Sequence, residues 1–207
     1  MCNLYRMTSG TAEIAQLFGT PEPQGLNFGS EVYPGYPGVV VAEGQTRTMA
    51  WGFPLRLKSM KPTSKPKAVN NTRDDKLLTP MWKASFLERR CLIPVTQWAE
   101  AEGETGKMTR TWYALHGSDL FAVAGIWRWS QEWGEVYSMV MTDACSQMTE
   151  THDRMPVILK ADHWSLWTDG NPDDALSLVR TCDETLTVDR TVEPWVQRKP
   201  QATGSLL

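Results

Sequence analysis

The sequence predicts an α+β fold in which an antiparallel, β-rich sheet or barrel carries a few flanking helices. Strand-like segments follow one another from residue 91 to residue 159, and short polar turns join them. Short turns favour antiparallel pairing, because parallel strands need long crossover connections. Segments with a helical pattern are few and short. We expect residues 1–207 to form one domain with a substantial core and a loose polar tail of about ten residues.

The first predicted element is a helix over residues 11–18. Ile14 and Phe18 share one face of this helix, Thr11 is the expected N-cap, and Gly19 ends it. The cap and the stop bound the helix at about two turns.

A loop and a hairpin follow. The Pro- and Gly-rich stretch 21–38 predicts a loop, and residues 39–41 and 49–51 predict two strands that turn at 43–45. Two prolines and five basic residues over 56–67 predict an exposed basic loop.

The second half of the chain supplies most of the predicted strands. A helix is expected over 79–89 with Pro80 at its first position, and two more are expected near 161–168 and over 172–180. The predicted strands between them are 91–100, 110–116, 120–127, 135–142 and 156–159.

Charge is distributed unevenly along the chain. The formal net charge is −3, yet residues 47–90 carry eleven Lys or Arg against three acidic residues. A confined basic segment suits a phosphate-binding surface, and a solvated lysine-rich loop is the plainer alternative. One or two of the ten tryptophans could stack on unpaired bases near this segment.

Composition excludes several classes of protein. No apolar run approaches the roughly 18 residues of a transmembrane helix, and the N-terminus lacks the apolar core of a signal peptide. We therefore expect no membrane partner and a cytoplasmic location. The other three cysteines, Cys91, Cys145 and Cys182, lie far apart without CxxC spacing, so we expect them to be small buried side chains and expect no metal or other cofactor.

Cys2 has a chemistry that no internal residue shares. Initiator methionine is normally removed before a small second residue, and removal would give Cys2 both a free α-amine and a thiol. The amine can form a Schiff base with an aldehyde, and the thiol can then close a five-membered thiazolidine ring. An inert buried thiol is the alternative.

Three further segments carry reactive polar groups. Asn71 and Arg73 point to the same face if the backbone is extended, and a turn with a surface arginine is the alternative. Glu100 ends an apolar strand, and the acidic turn that follows offers a solvated alternative. His152 lies in a polar loop just before a buried strand, and its ordinary pKa suits proton transfer at neutral pH.

Taken together, these segments resemble the SOS-response-associated peptidase family, whose members crosslink to abasic sites in DNA. The resemblance covers roughly residues 1–160 and rests on the order and spacing of its motifs. The motifs are Met1-Cys2, Tyr33-Pro34-Gly35, Trp51-Gly52, Asn71-x-Arg73, Arg90 to Pro94 before Glu100, Ala124 to Trp127 before Thr142, and His152 to Pro156.

The resemblance implies a mechanism and a set of site residues. Cys2 would attack the ring-opened aldehyde of an abasic deoxyribose, with Asn71, Glu100 and His152 around it, and the family name implies an associated peptidase activity. The partner would be abasic single-stranded DNA, bound by a monomer associated with the nucleoid. The residues expected to contact DNA are Arg56, Lys58, Arg73, Trp51, Thr142 and Arg154.

The chain departs from the family pattern in places. Many members have Gly-Arg after the cysteine, whereas this chain has Asn3-Leu4, and residues 192–196 replace the usual C-terminal motif. Two other functions remain open: an amide hydrolase with Cys2 as N-terminal nucleophile, and a non-catalytic single-strand-binding module. The basic segment favours DNA over a small amide substrate.

Overall fold

The computed structural model describes residues 2–26, 28–61 and 63–196 as fifteen strands and four α-helices with short connecting turns. The expected loose tail falls on 197–207, outside the described residues. The strands are β1 Tyr5–Arg6, β2 Glu31–Val32, β3 Pro37–Ala42, β4 Gln45–Trp51, β5 Phe53–Leu55, β6 Lys67–Val69, β7 Asn71–Arg73, β8 Arg90–Val95, β9 Gln97–Glu102, β10 Thr109–Leu115, β11 Phe121–Ser130, β12 Gly134–Asp143, β13 Arg154–Pro156, β14 Ile158–Leu159 and β15 Leu186–Pro194. The helices are α1 Thr11–Phe18, α2 Lys83–Glu88, α3 Trp164–Asp169 and α4 Pro172–Ser177.

Five strands close into a barrel. Their order is β4, β3, β8, β11 and β12, and β12 pairs back onto β4 to complete the ring. Gly125 in β11 lets β8 approach closely, because a Cβ at this position would lie 2.8 Å from the Cys91 sulfur. The predicted α+β class with an antiparallel β-rich core is confirmed. Among the described residues, β12 pairs in parallel with β4 and with β7.

A second sheet packs beside the barrel, with strand order β15-β10-β9-β1-β2. Its inner face contributes Tyr5, Trp98 and Tyr113 to the main core, and its outer face carries a smaller cluster that includes Leu4 and Trp112. Alternating side chains along each strand produce this division. The second sheet therefore has two differently lined faces.

The structure corrects several predicted boundaries. The expected strand 91–100 is two strands in different sheets, β8 and β9, which separate at Thr96. The helix expected over 79–89 is regular only over α2, and turns precede it. Thr11 is the first residue of α1 rather than its cap, which is Gly10.

Other corrections concern short or late elements. The loop expected over 21–38 contains β2 and the start of β3, and the strand expected over 156–159 is divided between β13 and β14. The strands β1, β5, β6, β7 and β15 were not predicted. The helix near 161–168 begins as a 3₁₀ turn before α3, and α4 is shorter than 172–180. Cys182 is half-buried rather than buried. No helix among the described residues is long and apolar enough to cross a membrane.

Candidate active site and nucleic-acid interface

Cys2 lies just before β1 and is fully buried. Its carbonyl oxygen accepts hydrogen bonds from two side-chain amides, Asn70 Nδ2 at 2.8 Å and Asn71 Nδ2 at 2.6 Å. Its sulfur donates to the Leu4 carbonyl at 3.4 Å. Three contacts to one residue fix the position of the N-terminal segment.

The two asparagines reach the same carbonyl from the junction between β6 and β7. Asn70 lies between the two strands and its carbonyl accepts the Met139 N–H of β12 at 2.9 Å, while Asn71 begins β7 opposite Met139. In a regular strand, neighbouring side chains would point to opposite faces. Asn70 was not singled out from the sequence, and its position beside Asn71 is the only signal that marked it.

The side-chain oxygen of Asn71 is available to accept a hydrogen bond. Its side chain is buried, and its Oδ1 accepts no hydrogen bond from the residues that the structure describes. A buried amide oxygen without a donor is costly, so an incoming amine or hydroxyl would be bound favourably here.

Glu100 lies on β9 opposite Thr111 of β10 and is 2 % exposed. Burial raises the pKa of its carboxyl to about 7. Burial also raises the pKa of the Cys2 thiol far above its ordinary value, and the charge of nearby Glu100 adds to that rise. At neutral pH the carboxyl can therefore either accept or donate a proton, while the thiol stays protonated.

His152 lies in the loop before β13, with its side chain 24 % exposed. Its Nδ1 lies 2.9 Å from the Arg154 backbone N–H, from which it can accept in the neutral ring, and 3.0 Å from Asp153 Oδ1, to which it can donate when protonated. Burial lowers the pKa of the imidazole, so the neutral form dominates at neutral pH. The charge of Asp153 acts on both Glu100 and His152, which indicates that this loop lies near the Glu100 side of the site.

The expected DNA contacts separate into exposed and buried groups. Arg73 is 45 % exposed and pairs with Asp75 at 3.0 Å. Arg56 donates to Glu132 at 2.5 Å, and Lys58 is exposed in the same basic loop. These cations lie on the surface, where phosphates can reach them.

Arg154 and Thr142 lie on neighbouring strands. Arg154 is held by Asp74 at 3.0 Å and by Asp143 at 3.1 Å, and its side chain is 17 % exposed. Thr142 is buried opposite Met155. Thr142 therefore packs against β13, the strand that follows the His152 loop. Its side chain is not exposed, so it cannot contact DNA in this conformation.

Trp51 is fully buried and cannot stack on a base in this conformation. Its Nε1 instead donates to the Asn70 carbonyl at 2.9 Å. Trp51 therefore does not stack on DNA here. It holds the backbone of Asn70, whose side chain binds the Cys2 carbonyl.

The described residues contain no group of three or more His, Cys, Asp or Glu side chains placed to hold a metal ion. The chemistry available at the site is that of Cys2, Asn71, Glu100 and His152. Asn71 contacts Cys2 directly, the charge of Glu100 acts on the Cys2 thiol, and the charge of Asp153 acts on both Glu100 and His152.

Comparisons with known proteins agree on one family. The family model described as SOS response associated peptidase (SRAP) matches residues 1–199. The abasic site processing protein YoaM of Bacillus subtilis is 32 % identical over 108 residues, 49 % of this chain and 47 % of YoaM. The abasic site processing protein YoqW of the same organism is 28 % identical over 127 residues, 56 % of each chain. The chain thus spans about half the length of the curated relatives it matches.

Solved structures support the fold. A protein from Bacteroides thetaiotaomicron superposes with a TM-score of 0.77 at 19 % identity, covering 91 % of both chains. A protein from Bordetella bronchiseptica gives a TM-score of 0.78 at 19 % identity, covering 92 % of this chain and 99 % of the other. At this identity the likeness establishes the fold alone.

Proposed function

The chain belongs to the SOS response associated peptidase family, and we propose that it processes abasic sites in DNA by linking Cys2 covalently to the lesion. The observation that carries this proposal is the Cys2 carbonyl held by two buried amides beside a buried carboxyl whose pKa is about 7. This arrangement holds one N-terminal residue rigidly next to a group that can move protons. The names of YoaM and YoqW supply the substrate class.

The proposed reaction needs no cofactor. Met1 is first removed, which frees the Cys2 α-amine. The amine adds to the ring-opened aldehyde of an abasic deoxyribose, and the carbonyl oxygen leaves as water to give a Schiff base. The thiol then adds to the same carbon, forming a carbon–sulfur bond while its proton passes to nitrogen. The product is a thiazolidine, and the net loss is one water.

The buried thiol explains why the amine would react first. A protonated thiol is a weak nucleophile, and burial keeps the Cys2 thiol protonated. The α-amine has an ordinary pKa of about 7.7–8.0, so a neighbouring base with a pKa near 7 can deprotonate it readily. We assign this base role to Glu100.

Asn71 and His152 take supporting roles in the proposal. The Oδ1 of Asn71, which has no donor among the described residues, can accept a hydrogen bond from the amine or the sugar. The imidazolium form of His152, a minor species at neutral pH, can protonate the sugar ring oxygen while the anomeric hydroxyl loses its proton, which opens the ring to the aldehyde. Ring opening supplies the aldehyde that the amine requires.

We propose unpaired DNA as the partner, bound by a monomer in the cytoplasm. Arg73, Arg56 and Lys58 would hold phosphates on either side of the lesion. Arg154 would join them by exchanging its Asp74 and Asp143 partners for a phosphate. A confined basic surface on an acidic chain fits a short strand better than a long duplex. A peptidase activity that releases Met1 is consistent with the family name and belongs to the same proposal.

Intact-mass spectrometry tests the proposal. Protein that has lost Met1 is incubated with a single-stranded oligonucleotide containing one abasic site. We expect an adduct equal to the oligonucleotide minus one water, absent in Cys2→Ala and retained in Cys182→Ala, since Cys182 is a half-buried cysteine with no place in the site.

Other results would favour the alternative functions. Binding that survives Cys2→Ala without any adduct would favour a non-catalytic single-strand-binding module. Turnover of small amides without an adduct would favour an N-terminal nucleophile hydrolase.

A further inference from the structure

A cleft of about 510 Å³ opens on the outer face of the second sheet, next to the residue that follows Cys2. Five of its lining residues define what we call the aromatic cleft: Asn3, Tyr33, Tyr36, Arg110 and Trp195. We propose that the aromatic cleft binds the unpaired nucleobase that flanks the abasic nucleotide. This inference rests on the proposed function and assigns it a further subsite.

The cleft offers aromatic faces at a surface. Tyr33 and Trp195 both pack against the small cluster of Leu4, Ala99 and Trp112. Tyr36 is 63 % exposed, and its ring centroid lies 6.3 Å from that of Tyr33 with the planes at 67°. In proteins that bind single-stranded DNA, unpaired bases commonly stack on exposed aromatic rings. The volume is also within the range of small-ligand sites.

Arg110 holds one of the aromatic rings of the cleft in place. Its side chain is 2 % exposed, and its Nη2 donates to the Tyr33 hydroxyl at 3.1 Å. The guanidinium is too buried to reach a base directly, so its contribution is to orient the Tyr33 ring that lines the cleft.

The balance of charge favours a base over a phosphate. Arg110 Nη1 lies 3.3 Å from Glu31 and 3.4 Å from Glu193, and Arg6 pairs with Glu31 at 3.0 Å. Two cations and two carboxylates therefore compensate one another. Because these charges cancel, the site has little attraction for a phosphate and is better suited to a neutral heteroaromatic ring.

The position of the cleft matches the nucleotide next to the lesion. Asn70 Nδ2 reaches both the Cys2 carbonyl and Asn3 Oδ1, the latter at 3.3 Å. One side chain therefore connects the proposed reactive residue with the rim of the cleft. A base adjacent to the linked sugar would meet Asn3 first and the aromatic rings behind it.

Equilibrium binding to unreactive oligonucleotides tests the proposal separately from the chemistry. The lesion is replaced by a tetrahydrofuran analogue, which cannot form an aldehyde, and a second oligonucleotide also lacks the bases on both sides of it. We expect the oligonucleotide with flanking bases to bind about tenfold more tightly, as measured by fluorescence anisotropy.

Substitutions in the cleft should remove that preference. Tyr36→Ala and Trp195→Ala should each bring the two affinities together, whereas Tyr36→Phe, which keeps the ring, should retain the difference. Trp129→Ala is the matched control, because Trp129 is 65 % exposed but lies outside the cleft. Tyr36 is largely exposed, so its replacement leaves the core intact.

Two results would overturn the assignment: equal affinity of the unaltered protein for both oligonucleotides, or a preference that survives both alanine substitutions. Failure of the crosslinking reaction with a preserved base preference would reject the covalent chemistry and leave the subsite standing. Normal crosslinking without any base preference would reject the subsite and leave the covalent chemistry standing.

Discussion

The Cys2 site and the basic loop over 56–67 are two regions with opposite physical character. Around Cys2, the asparagine amides and the Glu100 carboxyl are almost completely removed from water. In the basic loop, Arg56 and Lys58 remain in contact with solvent. Electrostatic and hydrogen-bonding effects are strong where water is excluded and weak where it screens them.

This difference predicts how each region responds to substitution. Substitutions in the buried site should change the crosslinking rate strongly. Their effects should depend on pH, and they should also change the free energy of unfolding. Changes in the basic loop should alter binding slightly, depend on salt and leave stability almost unchanged.

Replacing Glu100 should have the largest effect. Glu100→Gln keeps the shape of the side chain but cannot accept a proton, so crosslinking should slow by about 10²–10⁴-fold. In the unaltered protein the rate should rise as pH increases through about 7, where the carboxyl loses its proton. Rate measurements across this range check both expectations. A rate independent of pH in the unaltered protein would contradict the base role.

The same substitution should stabilise the protein in alkaline buffer. The raised pKa means that the folded state holds its proton more tightly than the unfolded state, so stability falls as pH rises from about 4.5 to about 7. Glu100→Gln avoids this loss and should add about 3 kcal/mol to the free energy of unfolding near pH 8. Near pH 4.5 the two proteins should unfold alike in urea.

Asn71 and Asn70 provide an internal comparison within the buried site. Both donate to the Cys2 carbonyl, but only Asn71 has a buried oxygen without a donor among the described residues. Asn71→Ala should therefore slow crosslinking by about 10²-fold and Asn70→Ala by about tenfold. Equal losses would mean that holding the carbonyl is the only role of the pair.

The sequence was sufficient to predict the exposed region, the fold class and the longer strands. Two prolines and five basic residues over 56–67 describe a solvated loop directly, because composition alone decides its character. The antiparallel class followed from short turns between strand-like segments. Closure of the barrel through parallel pairing of β12 with β4 could not be predicted, since it depends on contacts distant in sequence.

The buried region was harder to predict in detail. The sequence marked Asn71 but not Asn70, and both side chains donate to the Cys2 carbonyl from the junction between β6 and β7. Trp51 was expected at the DNA surface because tryptophan stacks on bases. Its burial depends on packing against Tyr5 and Tyr137, which local sequence does not reveal.

Trp51 tests whether the support of the buried site matters. Trp51→Phe removes the hydrogen bond to the Asn70 carbonyl, which should cost about 1–3 kcal/mol of stability and slow crosslinking several-fold. Trp167→Phe is the matched control, because Trp167 is equally buried and donates to the Cys91 carbonyl at 2.9 Å, away from the site. The control should lose similar stability in urea and keep its crosslinking rate. Equal rate losses in both variants would reduce the role of Trp51 to stability.

Arg73 should give the smallest effect and the clearest contrast. Its ion pair with Asp75 is exposed, so Arg73→Ala should change the free energy of unfolding by less than about 1 kcal/mol. Loss of one phosphate contact should weaken binding to single-stranded DNA several-fold in dilute salt and lower the slope of log affinity against log salt by about 1. Lys107→Ala is the control, because Lys107 is 82 % exposed and lies outside the basic segment. An unchanged salt slope in Arg73→Ala would remove Arg73 from the DNA path. A pH-dependent rate loss would instead place it with the buried site, because only there does protonation govern the chemistry.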